Sequence, residues 1–474
     1  MADLEPAKLT KMQTFMAENS VKPQNENNPI MAHKFGADPA VLVYNDTVYI
    51  YATNDMQQVE SNEGKEDNRY NKITSLTLFS SKDLVNWTDL GVIHVAGSNG
   101  GKGDAKWANN SWAPAIACKK INGKDKFFLY FADSGNGIGV VTADSPEGPF
   151  VDPIKKALIS RDVPTCREIN WLFDPAVIVD DDGKGYLYFG GGHDPEKYEH
   201  PKTARCVALG DDMISIVGTP QVIDAPFLFE DSGIHKMGKN YYYTYCSNFA
   251  DRAPSCDKDK MPTGVICYMT SENPLGPFEY KGYTLENPGT YFGPGGNNHH
   301  WIFNFKNKWH IAYHTQTLEK TVNLEKGGYR AVFLTEFAVN ADGSFPIQNA
   351  TREGIEQVGT FSPYGKIPAA TFHSSRNVAV SASQTIVAVK DGAYVCIKGV
   401  NFAGGASSIE LNCVPGAKKG CVKVCIDSAE NGTVLGEASL EKAYAEGKLN
   451  AVSGIHDLFL VLGEGTELAD WKIK

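Results

Sequence analysis

Short apolar and aromatic runs, separated by turn residues, recur along the first two thirds of the chain. In each repeat a polar or aromatic residue begins a short apolar run, a turn follows, and a second run rich in aromatic residues comes next. Runs of β-branched and aromatic residues bounded by Gly, Pro, Asn and Asp are typical of β-strands. The pattern occurs five times, and the repeats begin at Asp38, Trp112, Asp174, Glu230 and His299.

The repeated unit predicts the architecture of this part of the chain. Five copies of about four strands each favour a five-bladed β-propeller, because a ring of sheets leaves few strand edges exposed. A large β-sandwich, which is the structural alternative, does not require five copies of the same opening. We therefore expect an all-β protein in which residues 1–361 form the propeller and residues 1–30 run along its outside.

The pattern changes in the last quarter of the chain. Residues 361–368 (Phe-Ser-Pro-Tyr-Gly-Lys-Ile-Pro) are typical of a short linker, and aromatic density falls from Ala369 onward. Apolar runs such as Leu458-Phe-Leu-Val-Leu predict further strands. We expect residues 369–474 to form a separate small β-sandwich of the jelly-roll kind, since their number lies within the usual range for a domain.

Composition narrows the kind of partner. Hydrophobic residues make up 42% of the 474, which excludes a disordered chain. The chain carries 45 Lys and Arg against 56 Asp and Glu, a net charge of −11 that disfavours nucleic acid. We found no apolar stretch long enough to span a membrane. A small, neutral, soluble partner is the remaining expectation, and the oligomeric state stays open.

Cysteine usage and the first residues bear on the location of the protein. The ten cysteines include no C-x-x-C pair, so zinc fingers and thioredoxin-like sites are disfavoured. Met1-Ala-Asp-Leu-Glu-Pro lacks the charged and apolar regions of a secretory signal, although a signal removed earlier would leave no trace. We therefore expect a reduced, cytoplasmic protein.

The propeller hypothesis brings distant residues together. The first strand of every blade lines the central channel, so the openings of different repeats converge on the axis. Three of the five openings carry a carboxylate (Asp38, Asp174 and Glu230), one carries the pair His299-His300, and one carries Trp112. Convergent polar groups in a concave site are the usual sign of an active site.

Paired carboxylates suit one reaction class in particular. Hydrolysis of a glycosidic bond needs one protonated carboxyl to release the leaving oxygen and one ionised carboxylate to activate water or attack carbon. A third carboxylate nearby raises the pKa of the acid, because like charges disfavour ionisation. Asp180-Asp-Asp-Gly183, by contrast, predicts a hairpin turn, since it lacks the later Glu of a calcium-binding loop.

The order of these motifs resembles glycoside hydrolase family 43 over residues 28–350. The residues that carry the resemblance are Ala37-Asp38-Pro-Ala, Phe173-Asp174-Pro-Ala, the Glu230 strand with its Gly-Lys-Asn turn, Asn297-Asn-His-His-Trp and Gly328-Tyr-Arg330. The resemblance implies a five-bladed propeller and a single displacement that inverts the anomeric carbon. It further implies that Asp38 is the general base, Glu230 the general acid, and Asp174 the residue that orients the acid and tunes its pKa.

The same resemblance implies the surroundings of the carboxylates. His299 would lie beside a central calcium ion or an ordered water network, with His300 as the alternative. Arg330 and Asn298 would bind the terminal sugar. Trp112, and less securely Trp107, would form an apolar wall for the sugar face.

Within the family, the chain looks most like enzymes that act on arabinoxylan-derived sugars. We expect an exo-acting α-L-arabinofuranosidase that releases arabinose from a small neutral oligosaccharide. A β-xylosidase or a bifunctional enzyme is the nearest alternative, because both sugars are pentoses. A non-catalytic sugar-binding propeller and a retaining fructan-cleaving enzyme are more remote, and the latter would open with Trp-x-Asn-Asp-Pro-Asn where this chain has Phe35-Gly-Ala-Asp-Pro-Ala.

The C-terminal segment resembles a family 6 carbohydrate-binding module. Residues 393–402 and 454–461 carry the resemblance, whereas Ala370-Thr-Phe-His stands where such modules usually have Glu-Ala-Glu. We found no pair of exposed aromatic residues that would clamp a sugar. Packing against the propeller is therefore at least as well supported a role as sugar binding.

Overall fold

The computed structural model describes residues 6–252, 261–414, 420–440 and 443–474. In these residues the fold is all-β, as predicted, and every named pair of adjacent strands is antiparallel. Four short α-helices and one 3₁₀ helix interrupt the strands. Their bounds are α1 (Lys11–Asn19), α2 (Asp55–Asn62), α3 (Pro288–Phe292), α4 (Thr317–Thr321) and the 3₁₀ helix Pro195–Lys197.

Five antiparallel sheets follow one another along the described residues 37–336, one for each repeat of the sequence. The first sheet contains β1 (Ala37–Tyr44), β2 (Thr47–Thr53), β3 (Ser75–Ser81) and β4 (Trp87–His94). The second contains β5 (Trp112–Ile121), β6 (Lys124–Ala132) and β7 (Ile138–Ala143). The third contains β8 (Ala176–Val179), β9 (Gly185–Phe189), β10 (Ala204–Leu209) and β11 (Ile216–Ile223).

In the fourth and fifth sheets, too, strands that follow one another along the chain pair with each other. The fourth contains β12 (Leu228–Met237), β13 (Asn240–Ser247), β14 (Ile266–Ser271) and β15 (Glu279–Leu285). The fifth contains β16 (His300–Phe305), β17 (Lys308–Thr315) and β18 (Ala331–Glu336). The first strands of successive sheets contact one another, and β16 contacts β1, so the contacts close into a ring. This ring gathers the openings of the five repeats.

Local sequence explains the hairpins within the sheets. Lys306 and Asn307 both adopt positive φ between the paired residues Phe305 and Lys308, which is the geometry of a two-residue hairpin turn. The predicted turn at 180–183 also connects two paired strands, with Gly183 at φ 82°. The hairpin interpretation of this acidic segment is therefore confirmed.

Apart from one strand that joins the first sheet, the C-terminal strands form two further sheets. Their bounds are β19 (Ile367–Pro368), β20 (Thr371–Phe372), β21 (Ser374–Arg376), β22 (Val378–Val380), β23 (Ile386–Ala388), β24 (Ala393–Asn401), β25 (Ser408–Cys413), β26 (Gly420–Ile426), β27 (Thr433–Leu440), β28 (Tyr444–Lys448), β29 (Ile455–Leu462) and β30 (Glu467–Ile473). One sheet has the order β22-β23-β30-β25-β28 with β19 beside β30, and the other has the order β21-β24-β29-β26-β27.

The two parts of the chain share one apolar core. A single cluster of buried residues contains Trp87 of the first sheet, Val332 of the fifth, and Leu411 and Trp471 of the C-terminal strands. The segment expected to be a linker is also paired, because Ile367 lies opposite Trp471. Just beyond it, β20 adds to the first sheet beside β4. The C-terminal strands are therefore packed firmly against the ring.

The N-terminal segment lies between these two parts. Helix α1 begins at a capping box, in which the Thr10 hydroxyl accepts from the Gln13 N–H, and it packs against α2 and β22. Further along, the Ile30 N–H donates to the carbonyl of Val332 at 2.9 Å, and the Asn28 side chain bonds the backbone of Leu334. Residues 28–30 therefore run beside β18. Within the described part of the chain, no helix is long and apolar enough to cross a bilayer.

Candidate active site

A pocket of about 460 Å³ lies at the start of the five first strands. Each repeat contributes to its lining, as expected for residues that converge on the axis of a ring. The three predicted carboxylates all line it, although Asp38, Asp174 and Glu230 are only 5–7% exposed. The full lining is Asp38, Thr53, Tyr70, Trp112, Ala113, Gly135, Trp171, Phe173, Asp174, Phe229, Glu230, Asn297, His299 and Arg330.

An unusual backbone conformation recurs at the strand openings. Asp38, Asp174 and Asp231 have φ values of 49°, 48° and 69°, in the left-handed region that few residues other than glycine adopt. Asp tolerates this region because its short polar side chain bonds locally. The pairing of β1 and of β12 shifts register at these residues, and such a bulge re-aims a side chain. The left-handed conformation therefore recurs in four repeats, since Ala113 of the second repeat also has a positive φ of 36°.

This shared geometry corrects the alignment of the fourth repeat. Asp231, and not Glu230, occupies the position equivalent to Asp38 and Asp174. Glu230 precedes that position by one residue, and it is nevertheless the side chain that lines the pocket. The bulge at the start of β12 thus presents Glu230 to the cavity and turns Asp231 away from it.

Asp38 is held by a buried arginine. Arg330 Nη1 donates to Asp38 Oδ1 at 2.9 Å, and the Asp38 N–H donates to Nδ1 of His314 at 3.1 Å. Burial alone would raise the pKa of Asp38, but the Arg330 charge and the neighbouring imidazoles outweigh it and hold that pKa below its ordinary value. Asp38 is therefore the ionised carboxylate of the pocket.

Glu230 has the opposite environment. Burial raises the pKa of Glu230 well above its ordinary value, and the charges of Asp174 and Asp38 raise it further. Its Oε1 atom is buried and has no hydrogen-bond partner among the described residues. Both observations favour the protonated carboxylic acid at neutral pH.

Asp174 is coupled to both of these groups. Burial raises the pKa of Asp174 well above its usual range, and the charge of Asp38 adds to this. The Asp231 N–H donates to Asp174 Oδ2 at 2.9 Å, which acts in the opposite direction. The pKa of Asp38 is therefore lowered, whereas those of Asp174 and Glu230 are raised. Such a separation of pKa values is typical of carboxyl groups that act as acid and base.

The two adjacent histidines separate into different roles. His299 lines the pocket, with Nδ1 at 3.6 Å from Asp38 and 3.8 Å from Asp174, and Nε2 at 3.2 Å from Asp231. His300 lies behind it, where its ring bonds Asp231 and the Thr244 hydroxyl. Burial lowers the pKa of each imidazole to about 3, so both are neutral. Of the two candidates, His299 is the one at the pocket.

The side chains around His299 decide whether the protein itself offers a calcium site there. Calcium prefers six to eight oxygen ligands. Among the described residues, no group of three or more His, Cys, Asp or Glu side chains is arranged to hold a metal ion. The described side chains alone therefore do not fit such a site.

Aromatic residues form the walls of the pocket. Trp112 lines it as predicted, and its Nε1 donates to the carbonyl of Tyr70 at 2.8 Å. On another wall, Trp171 makes edge-to-face contacts with Phe173 and Phe229. Trp171 is 39% exposed, so this wall reaches the surface. A flat aromatic wall suits the apolar face of a sugar ring.

Two predicted binding residues do not line the pocket. Trp107 stacks on Phe131, and its Nε1 donates to Asp152 at 2.9 Å, so its ring is used for packing between strands. Asn298 is fully buried, and its side chain donates to the carbonyl of Gly264. The preceding residue, Asn297, lines the pocket in its place.

Sequence reasoning missed several residues of the site. Asp55 and Tyr70 surround Arg330, and Asp231 lies behind His299. Asp55 and Tyr70 lie between repeated strands and carry no repeat signal. Asp231 had one, because Asp231-Ser-Gly-Ile aligns with Asp174-Pro-Ala-Val at the same strand opening.

The arrangement fits hydrolysis of a glycosidic bond. An ionised carboxylate and a protonated carboxyl group line one largely apolar pocket, which is the equipment of enzymes that protonate a leaving oxygen and activate water. The pocket carries an aromatic wall at Trp171, Phe173 and Phe229. These features favour a sugar over a nucleotide or a metal-bound substrate.

Comparisons with known proteins agree with this chemistry. The chain is 45% identical over 467 residues to an arabinoxylan arabinofuranohydrolase from Bacillus subtilis strain 168, covering 93% of this chain and 90% of the relative. It is 43% identical over 465 residues to an arabinoxylan arabinofuranohydrolase from Paenibacillus polymyxa, covering 93% of this chain and 72% of the relative.

A solved structure and a family model extend the likeness. The fold matches a family 43 arabinoxylan arabinofuranohydrolase from Bacillus subtilis, crystallised with cellotetraose, with a TM-score of 0.91 and 42% identity over 97% of this chain and 99% of that one. The model of glycosyl hydrolases family 43 matches residues 26–345, the stretch that contains all the carboxylates described above. The protein belongs to glycosyl hydrolases family 43.

Proposed function

We propose that the protein is an exo-acting α-L-arabinofuranosidase that removes arabinose from arabinoxylan and its oligosaccharides. The observation that carries the proposal is the pocket in which an ionised Asp38 and a protonated Glu230 converge. The relatives named as arabinoxylan arabinofuranohydrolases support the choice of sugar. A single pocket with aromatic walls suits one terminal sugar residue.

The proposed reaction is a single displacement with inversion. Asp38 accepts a proton from a water molecule as the water oxygen forms its bond to the anomeric carbon. The bond from that carbon to the leaving oxygen breaks, and Glu230 donates its proton to this oxygen. Such a mechanism needs about 6.5–9.5 Å between the two carboxyl groups, so that water fits between base and sugar.

The remaining pocket residues are proposed to orient the sugar. The charge of Asp174 raises the pKa of Glu230, and this keeps the proton on Glu230. Arg330 faces the pocket with donors beyond those that bind Asp38 and Asp55, and these suit sugar hydroxyls. The exposed aromatic wall at Trp171 would bind the xylan chain from which arabinose is released.

A substrate panel tests the proposal. Nitrophenyl-α-L-arabinofuranoside, nitrophenyl-β-D-xyloside and arabinoxylan oligosaccharides with one or two arabinose branches are compared as substrates. We expect arabinose as the released sugar and faster turnover of the arabinofuranoside. Release of xylose alone would favour the β-xylosidase alternative, and absence of any turnover would favour a sugar-binding protein. Proton NMR of the first-released anomer separates inversion from the retaining alternative.

We further propose the domain assignment. The ring of sheets in residues 1–361 corresponds to a five-bladed β-propeller, and residues 369–474 to a jelly-roll β-sandwich of the family 6 carbohydrate-binding kind. The shared core around Trp87 and Trp471 supports a packing role for the second domain. Binding of xylan oligosaccharides to a pocket-inactivated variant would test for a sugar site in that domain.

Two expectations stay predictions. Calcium beside His299 would be held mainly by water, and calorimetric titration of the protein with calcium chloride tests it.

A reducing, cytoplasmic location is supported by the nine cysteines described, which are all free thiols, whereas Cys256 lies outside the described residues. Cell fractionation tests the location.

A further inference from the structure

One guanidinium is shared by two buried carboxylates. Arg330 donates from Nε and Nη2 to the two oxygens of Asp55, each at 2.9 Å, and from Nη1 to Asp38 Oδ1 at 2.9 Å. The backbone N–H of Arg330 also donates to Asp55, at 3.0 Å. Asp55 therefore takes the paired donors of the fork, and Asp38 takes a single donor from its remaining branch.

The position of Asp55 is fixed by its own element. It is the first residue of α2, after the N-cap Asn54, whose side chain donates to the Ser75 hydroxyl at 3.0 Å. The next residue, Met56, is tied to the backbone carbonyl of Phe35. Asp55 is fully buried and is not part of the pocket lining. Any effect it has on the reaction therefore passes through Arg330.

The geometry of ion pairs shows what Asp55 prevents. A guanidinium prefers a carboxylate with which it can form two parallel hydrogen bonds. With Asp55 in place, this paired mode is used away from the pocket, and Asp38 keeps one oxygen free of Arg330. Without Asp55, the same fork would be free to turn and clamp both oxygens of Asp38, which would use a lone pair on each oxygen and weaken Asp38 as an acceptor for the proton of water.

The ring of Tyr70 supports the same orientation. The Arg330 guanidinium lies 4.9 Å from the centre of this ring, so a rotation toward Asp38 would also lose a cation–π contact. Asp55 and Tyr70 thus hold the plane of the guanidinium from two sides. The orientation leaves Arg330 as part of the pocket surface.

We propose that Asp55 is a positioning residue of the active site, which holds the fork of Arg330 so that Asp38 receives one hydrogen bond and keeps a free oxygen. The inference rests on the proposed role of Asp38 as the base. It assigns a function to a residue that lies outside the repeats and does not touch the sugar.

A double-mutant cycle tests this role. Asp55→Asn, Arg330→Lys and the double variant are compared with wild type on whichever glycoside of the panel the wild type cleaves best. An amide cannot accept from both Arg330 nitrogens, so we expect kcat to fall about 10²-fold in Asp55→Asn, in line with small misplacements in active sites. Lysine has no fork. The kcat of the double variant should therefore be no more than about threefold below that of Arg330→Lys alone, because the effects of coupled residues are not additive.

A matched control separates positioning from stability. Asp89 of β4 is also a fully buried carboxylate, paired with Lys34 at 2.7 Å and His33 at 2.8 Å, but it does not line the pocket. Asp89→Asn should lower the thermal unfolding temperature while kcat and KM stay within twofold of wild type. If Asp55→Asn does not fold, Asp55→Glu keeps the charge but moves the carboxylate, and it should still lower kcat.

The outcomes are distinct from those of the proposed function. A kcat unchanged in folded Asp55→Asn or Asp55→Glu would overturn the inference. Losses that multiply in the double variant would overturn it as well, because Asp55 would then act without Arg330. Failure of the proposed function would show differently, as full turnover by Asp38→Asn or as no arabinose release by wild type.

Discussion

The backbone N–H of Asp231 donates a hydrogen bond to Oδ2 of Asp174 at 2.9 Å. The two residues belong to different sheets of the ring, and both have left-handed backbone conformations at equivalent strand openings. The orientation of the Asp174 carboxyl group is therefore fixed by the next repeat along the chain. This contact keeps Asp174 close enough to Glu230 for its charge to matter.

Removing the Asp174 charge should change the pH dependence of the reaction. In the proposed mechanism Glu230 acts in its protonated form, so activity should disappear as pH rises through its pKa. Asp38 acts in its ionised form, so activity should disappear as pH falls through its lowered pKa. After burial, the Asp174 charge is the largest cause that raises the pKa of Glu230. We expect Asp174→Asn to move the alkaline limb of the kcat/KM profile to lower pH.

The control for this profile is another Asp→Asn change. The side chain of Asp211 is fully exposed and contacts only Lys119 among the described ion pairs. Asp211→Asn should leave both limbs unmoved. An alkaline limb that stays in place in Asp174→Asn would contradict the coupling.

The acid and the base should respond differently to the leaving group. A good leaving group needs little protonation, so Glu230→Gln should lose about 10²–10⁴-fold on xylan-linked arabinose and much less on dinitrophenyl-arabinofuranoside. Asp38→Asn should lose a similar factor on both substrates, because water attack is needed in either case. Steady-state kinetics on the two substrates measures this.

Glu272→Gln serves as the control, since the Glu272 side chain is 69% exposed on an outer turn. It should match wild type on both substrates. Equal losses in Glu230→Gln on both leaving groups would speak against its role as the acid.

The exposed aromatic wall should matter only for long substrates. We expect Trp171→Ala to raise KM for arabinoxylan oligosaccharides by about 2- to 13-fold, since an aromatic contact contributes about 0.5–1.5 kcal/mol. Turnover of nitrophenyl-arabinofuranoside should change little. Trp107→Ala is the matched control, because Trp107 lies outside the pocket and should affect thermal stability without changing the ratio of the two KM values. A KM for the oligosaccharides that Trp171→Ala leaves unchanged would remove the wall from substrate binding.

The shared core predicts that the two parts of the chain unfold together. Phe372 is 2% exposed, lies opposite Trp87 in the first sheet, and belongs to the cluster that includes the C-terminal strands. Phe372→Ala should cost about 3–5 kcal/mol of unfolding free energy, as for other buried aromatic residues. Urea unfolding followed by fluorescence and circular dichroism measures it.

Tyr444→Ala, at a side chain that is 49% exposed, should change the unfolding free energy by less than about 0.5 kcal/mol. Two separate transitions, with Phe372→Ala shifting only one of them, would show that the parts unfold independently.

Much of the ring was predictable because its signal repeats. The strand openings at Asp38, Asp174 and His299 occur at like positions of a periodic pattern, and periodicity is what sequence reasoning detects well. The sequence does not decide whether Glu230 or Asp231 is equivalent to Asp38, because both residues are acidic. The bulge that decides between them is a backbone feature. The choice between Asn297 and Asn298 is similar, because a shift of one residue moves a side chain from the pocket to the interior.

Residues outside the repeats could not be predicted. Asp55 begins a helix between β2 and β3, and nothing in its neighbours along the sequence indicates that it lies opposite Arg330, which is 275 positions away. Trp107 illustrates the converse. The family resemblance implies a place for it in the sugar wall, whereas the hydrogen bond to Asp152 that fixes its ring depends on a residue 45 positions away.

The contact of residues 28–30 with β18 has a consequence for how the protein is made and engineered. Asn28 and Leu334 are 306 positions apart, so this contact can form only after about 70% of the chain has been synthesised. Such long-range pairing slows folding. Hydrogen exchange should therefore report one cooperative unit for this early segment and the fifth sheet. Insertions or peptide fusions that displace residues 28–30 would loosen the whole catalytic ring, although they lie on no part of the pocket.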